Sequence, residues 1–117
     1  MTLKEVADVL SAKILNGTDE EFAVTVTTAA ASDLMSDILA RMVSADLMLT
    51  GLTTTQTIRT SSVAGIRTVV ICRGKPVPDS VIELAKEEGV LLMVTRMTLF
   101  ESCGLLYEKG LRGVLAR

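Results

Sequence analysis

The chain has 117 residues, of which 49% are apolar and 22% charged, with a formal net charge of −2. That length fits one domain spanning residues 1–117, with a core that needs neither disulfide nor metal, and the composition argues against disorder. The absence of histidine excludes Ser-His-Asp triads, Cys-His pairs, imidazole proton shuttles and His-containing zinc sites.

The acidic balance disfavours nucleic acid as a partner. Two phenylalanines, one tyrosine and no tryptophan leave little for base stacking. A local basic patch at Arg112 and Arg117 is the one place where a dimer could meet DNA. No apolar run reaches the ~18 residues of a membrane span, and no secretory pattern opens the chain. The expectation is a cytoplasmic protein with no membrane partner. Cys72 and Cys103 lie far apart in sequence and form no CxxC pair. They read as reduced, packed thiols.

Thr2 and Glu5 form a capping box for a first helix whose apolar face is Leu3, Val6, Ala7 and Leu10. Ala12 to Leu15 reads as a short strand stopped by the turn Asn16-Gly17. Asp19-Glu20-Glu21 reads as a solvated loop, and Val24 to Thr28 as a strand. Ser32 or Asp33 is the expected cap of a helix with apolar face Leu34, Met35, Ile38, Leu39 and Met42.

A regular rhythm follows. Asp46 to Thr50 reads as a buried strand, then Thr53 and Gln56 as a capping box for a helix ending at Gly65. Ile66 to Cys72 is the next strand, Asp79 to Glu88 the next helix, and Val90 to Thr95 the next strand. Thr98 and Glu101 cap a last helix that Gly110 ends. Continuous apolar strands alternating with amphipathic helices predict an α/β fold, a mostly parallel central sheet covered by helices on both faces.

In such a sheet, ligands settle beyond the carboxyl ends of the strands. Those ends carry Thr50, Gly51, Thr53 and Thr54, then Arg73 and Lys75, then Arg96 and Thr98. Hydroxyls, cations and two helix N-termini thus share one edge, which suits a nucleotide or other phosphate-bearing anion. Equally, threonines at helix starts satisfy the helix, and loop cations are commonly just solvated. No GxxxxGK[ST] or GxGxxG loop is present, so neither a P-loop kinase nor a dinucleotide fold is supported.

Asp33 and Asp37, with Ser32 and Ser36, could hold a hard cation, but capping is the better reading. Cys103 has no base to activate it and falls on the apolar stripe of Leu99 and Leu106. No catalytic residue, metal or cofactor is expected. Met35, Met42, Met48, Met93 and Met97 read as core filler. The weakly charged helices after Ser32 and after Gly51 suggest a face buried between two copies of the chain.

Several segments, in order, resemble the DRTGG domain family. They are Ala31 to Leu39, Thr50-Gly51-Leu52-Thr53 with Gln56 to Thr60, Arg73 to Pro76, Ile82 to Lys86, and Thr95 to Gly110. The resemblance covers essentially the whole chain. It implies an α/β fold similar to the N-terminal domain of HPr kinase/phosphorylase. It also implies a regulatory or dimer-forming module without catalysis of its own, of the kind that accompanies CBS domains in regulated pyrophosphatases. An unidentified protein partner is a further expectation. The Asp-Arg-Thr-Gly-Gly signature is itself altered: its glycines would fall at Thr28 and Ala29, and its Asp-Arg is absent.

Overall fold

A computed structural model of the protein describes residues 1–114. Six strands form one sheet in the order β1-β5-β4-β3-β2-β6. They are β1 (Lys13–Ile14), β2 (Thr28–Ala31), β3 (Leu47–Thr50), β4 (Thr68–Ile71), β5 (Leu91–Val94) and β6 (Arg112–Gly113). All neighbours pair in parallel except β1, which runs antiparallel to β5. The helices are α1 (Leu3–Val9), α2 (Asp19–Phe22), α3 (Met35–Arg41), α4 (Thr55–Val63), α5 (Asp79–Glu88) and α6 (Leu99–Glu108).

The central strands are buried on both faces, and their side chains alternate between two cores. Leu47, Leu49, Val70, Leu91 and Met93 meet α1, α2 and α6 on one face. Met48, Val69, Ile71 and Leu92 meet α3, α4 and α5 on the other. The period of two in a strand produces this division. Ile38 of α3 and Ile58 of α4 are fully buried, and each contributes roughly 1.5–3 kcal/mol by leaving water.

The first helix forms as its capping box dictates, with Thr2 and Glu5 bonded reciprocally. The helix of residues 79–88 ends at Gly89, which takes the left-handed conformation (φ 68°) that lets the chain turn back into β5.

The N-terminal third departs from the sequence reading. Asp19 to Glu21 is helical, because Thr18 and Glu21 form a capping box that holds one turn over buried Phe22. The strand expected over Val24 to Thr28 begins at Thr28 instead, and Ala29, Ala30 and Ala31 pair with Leu47, Met48 and Leu49. Val26 is buried in the core beside α1, and Thr25 makes only an isolated bridge to Thr2. The backbone at Thr28 and Ala29, where the altered signature falls, is therefore ordinary strand.

Two helix starts are also displaced. The N-cap of α3 is Leu34 and that of α4 is Thr54, and neither side chain accepts a capping hydrogen bond from the first-turn backbone. Ser32 accepts from the Leu34 N–H at 2.9 Å, two residues too early to cap. Leu34 and Leu39 point outward, 62% and 42% exposed, so α3 buries only Met35 and Ile38, with Met42 half-buried beyond its end.

Asp46, just before β3, ties that strand to the start of β2. Its Oδ2 accepts from the Thr27 N–H at 2.7 Å, the Thr27 hydroxyl at 3.1 Å and the Thr28 N–H at 3.1 Å. Burial raises the carboxyl pKa, but these hydrogen bonds together outweigh it and hold the value below the usual range.

Candidate functional site at the carboxyl ends of the strands

The chain changes sides of the sheet at β5. Helix α5, which follows β4, packs on the face of α3 and α4, whereas α6, which follows β5, packs on the opposite face. A crevice outside two strands whose helices diverge is where open α/β sheets bind ligands. Here it is filled by the loops after β4 and β5.

The loop after β4 is strained. Arg73 and Gly74 both take positive φ, 74° and 62°. Glycine does so freely, but arginine does so at a cost of order 1–3 kcal/mol. Two backbone bonds hold the turn: the Arg73 N–H donates to the Met97 carbonyl and the Gly74 N–H to the Thr95 carbonyl, both at 2.8 Å. Gly74 also lies close to Arg96, since a Cβ on it would sit 3.3 Å from Arg96 Cγ. Thr95 is fixed in turn by its hydroxyl, which donates to the Leu10 carbonyl at 2.7 Å.

A groove of about 420 Å³ opens beside this turn, walled by Leu10 and Ser11 after α1, Lys13 of β1, Gly74 and Lys75 after β4, and Val94 to Met97. Its charged lining is Lys13, Lys75 and Arg96, with no carboxylate. Among the described residues the ion pairs are Lys4–Asp8 and Arg41–Asp37, so none of these three cations is neutralised by a pair. The volume lies within the ~300–1,000 Å³ of pockets that take drug-sized ligands.

A second cluster occupies the same edge above β2 and β3. Asp33, just after β2, accepts from the Gly51 N–H at 2.7 Å and the Thr50 hydroxyl at 3.0 Å. The Gly51 bond does most to hold its carboxyl below the usual range, helped by the Thr50 bond and the nearby Arg73 and Lys75 charges. Lys75 Nζ donates to the Gly51 carbonyl at 3.0 Å. The Arg73 guanidinium lies over Gly51, in space that a Cβ there would occupy.

The sequence-derived site residues thus separate into two groups. Arg96 lines the groove, and Lys75 lies between the two, lining the groove while its Nζ bonds the Gly51 carbonyl in the Asp33 cluster. Thr50, Gly51 and Arg73 belong to the Asp33 cluster, and the buried Thr50 hydroxyl is already engaged there. Thr53 is left in the loop before α4, and Thr54 is its N-cap. Thr98 caps α6, accepting from the Glu101 N–H at 3.2 Å and donating to the Glu101 carboxylate at 3.3 Å. Lys13, Ser11 and the Asp33 contact were not read from the sequence. A strand of two residues carries no direction signal, and only antiparallel pairing with Val94 brings Lys13 to the carboxyl edge.

The thiols are poor nucleophiles. Cys72 is fully buried and burial pushes its pKa up, a shift that its contact with Ser102 at 3.7 Å only partly offsets. Burial also raises Cys103. Cys103 is half-buried rather than buried, and Ser102 is the residue that α6 turns toward Cys72. Among the described residues no group of three His, Cys, Asp or Glu could hold a metal ion. None of the described helices is long and apolar enough to cross a membrane. Arg112 stacks on the Tyr107 ring at 4.2 Å, and Arg117 lies outside the described residues.

The DRTGG domain family matches residues 5–107. The chain belongs to the DRTGG domain family. Among solved structures it is similar to the CBS and DRTGG domains of the regulatory region of Clostridium perfringens pyrophosphatase, complexed with its activator diadenosine tetraphosphate. The TM-score is 0.75 at 17% identity, over 90% of this chain and 45% of that one. This likeness bears out the α/β fold with its mostly parallel sheet. No curated protein matches the chain.

Proposed function

We propose that this DRTGG chain is a non-catalytic regulatory module that senses a phosphate-bearing small ligand, such as a nucleotide, at the carboxyl edge of its sheet. The observation that supports this reading is the groove lined by Lys13, Lys75 and Arg96 with no carboxylate. Lys13 and Arg96 make no side-chain hydrogen bond or ion pair among the described residues, and with Lys75 beside them the crevice favours an anion by charge. The strained Arg73-Gly74 turn leads directly into Lys75 in the groove wall. The related regulatory region binds a dinucleoside polyphosphate, which makes such anions the first ligands to try.

Thermal-shift and calorimetric titrations with mono- and dinucleotides and with inorganic phosphates test the reading. A ligand at 100 times its Kd adds about 2.7 kcal/mol of stability, seen as a rise of several degrees. Lys13→Ala and Arg96→Ala should each weaken binding about tenfold or more, because each removes a charged contact to the ligand. Unchanged affinity in both variants places the anion elsewhere and ends this assignment of the site.

A second reading is that the module works as a homodimer, with cytoplasmic location and a protein partner as further expectations. Val43, just after α3, and Val63 of α4 are 51% and 78% exposed, and α3 and α4 pack side by side. Burying such a patch between two copies removes apolar surface from water. Sedimentation at micromolar concentration tests it: a dimer that Val63→Glu dissociates supports this face, and a monomer rejects it.

A further inference from the structure

A second cavity, of about 210 Å³, opens at the opposite, amino edge of the sheet. Its apolar wall includes Leu3, Val26 and Leu91, and its polar lining includes Glu21, Asp46, Arg67 and Thr68. Among the described residues, Thr68 Oγ1 is the buried side-chain polar atom that has no hydrogen-bond partner. Thr68 is 1% exposed, so bulk water does not supply that partner. Thr68 lines the cavity, so a molecule held there can offer its hydroxyl the missing partner. A single ordered water needs only about 10–15 Å³, so the space exceeds what one water would fill. It is also smaller than the ~300–1,000 Å³ pockets of drug-sized ligands.

The other polar groups have capacity to spare. Asp46 uses Oδ2 for the start of β2, leaving Oδ1 without a partner among the described residues. Glu21 uses Oε1 for Thr18 and leaves Oε2. The Arg67 side chain makes no hydrogen bond or ion pair among the described residues. Two carboxylates against one guanidinium exclude a phosphate and call for a ligand with a positive group. The guanidinium calls for a carboxylate on the same molecule, and the wall of Leu3, Val26 and Leu91 calls for an apolar body.

We propose that this cavity is a separate small-molecule site that takes the free zwitterion of an apolar α-amino acid. The Arg67 guanidinium binds its carboxylate, Asp46 and Glu21 face its ammonium group, and the side chain lies on the apolar wall. Thr68 gains the partner it lacks.

The test compares leucine with 3-methylbutylamine, which lacks the carboxylate, and 4-methylpentanoate, which lacks the ammonium, by thermal shift and calorimetry on the full chain. Leucine at saturation should raise the melting temperature by several degrees, and either truncated analogue should bind at least about tenfold more weakly. Arg67→Gln, a change at an exposed residue, and Thr68→Val, which keeps the shape, should each reduce leucine affinity about tenfold. Thr68→Val should also raise the melting temperature of the ligand-free protein, because an orphaned hydroxyl is removed. No response to leucine, isoleucine, valine or methionine overturns the proposal. So does equal binding of the amine or the acid, or a leucine response that survives both Arg67→Gln and Thr68→Val. The anion groove is untouched by any of these outcomes, since its ligands and its variants are different.

Discussion

The two ends of the β2–β3 ladder are each tied by one aspartate, in different electrostatic surroundings. At the amino end, Asp46 precedes β3 and holds the Thr27 and Thr28 N–H groups at the start of β2. At the carboxyl end, Asp33 follows β2 and holds the Gly51 N–H and Thr50 hydroxyl at the end of β3. Both carboxyls lie below their usual pKa. Around Asp33 stand Arg73 and Lys75, and beyond them Arg96 and Lys13. Around Asp46 the cavity carries one cation, Arg67, and a second carboxylate, Glu21. The same hydrogen-bonding device thus closes both ends, and the charge left over sets what each edge can recognise. The carboxyl edge has cations in excess and suits an anion. The amino edge has mixed charge and does not.

Removing Asp46 is the largest expected perturbation. Asp46→Ala strands two backbone donors and a hydroxyl at the start of β2, one of them half-buried. Hydrogen bonds to a charged group contribute about 1.5–3 kcal/mol each and do not add fully, so the expected loss is about 2–3 kcal/mol. Chemical denaturation should show it as a lower midpoint with an unchanged slope. A loss below about 0.5 kcal/mol would mean that the amino end is held by packing alone.

Asp33→Asn is milder, because the amide oxygen can still accept from Gly51 and because Asp33 faces solvent. About 1 kcal/mol is expected, reduced from the charged-bond figure by solvent screening. The pH dependence separates the charge from the geometry. A carboxyl whose folded pKa is depressed stabilises the protein at pH above its ordinary value, which is 3.8 here. The contribution disappears as pH falls through the folded value. The stability gap between wild type and Asp33→Asn should therefore be constant from about pH 5 to 7 and shrink below pH 3.8. Melting curves across that range check it, and a gap that persists in acid would show that the charge plays no part.

The comparison also shows which parts of the molecule the sequence exposes. The run from β3 to α6 was legible because its signals are local: buried strands such as Thr68–Ile71, and stop glycines such as Gly89 that need no distant partner. The amino-terminal third was not. Three alanines have little strand propensity, and Ala29 to Ala31 form β2 because β3 pairs with them. Thr53, Thr54 and Thr55 offer three near-equal helix starts, and tertiary packing selects Thr54 as the cap. Asp33 looked like a helix cap because its true partners lie at Thr50 and Gly51, 17 and 18 residues away. Lys75 and Arg96 were legible as strand-end residues. Lys13 depended on the direction of a two-residue strand.

The smallest expected effect divides the carboxyl edge itself. In Gly51→Ala the new Cβ would meet the Arg73 guanidinium, the far end of a flexible side chain that can move aside. Gly51 does not occupy the left-handed region, so alanine is tolerated there and reduces the freedom of the unfolded chain by about 0.4–1 kcal/mol. That gain offsets the displaced contact, and stability should change by less than about 0.5 kcal/mol. The informative measurement is anion affinity. Arg73 leans over Gly51, whereas Lys13, Lys75 and Arg96 line the groove. Moving the Arg73 head should then leave affinity within about threefold of wild type, under 0.7 kcal/mol. A tenfold loss in Gly51→Ala would shift the binding site from the groove to the Asp33–Gly51–Arg73 cluster. The excess charge that distinguishes this edge from the amino edge would then reside in Arg73.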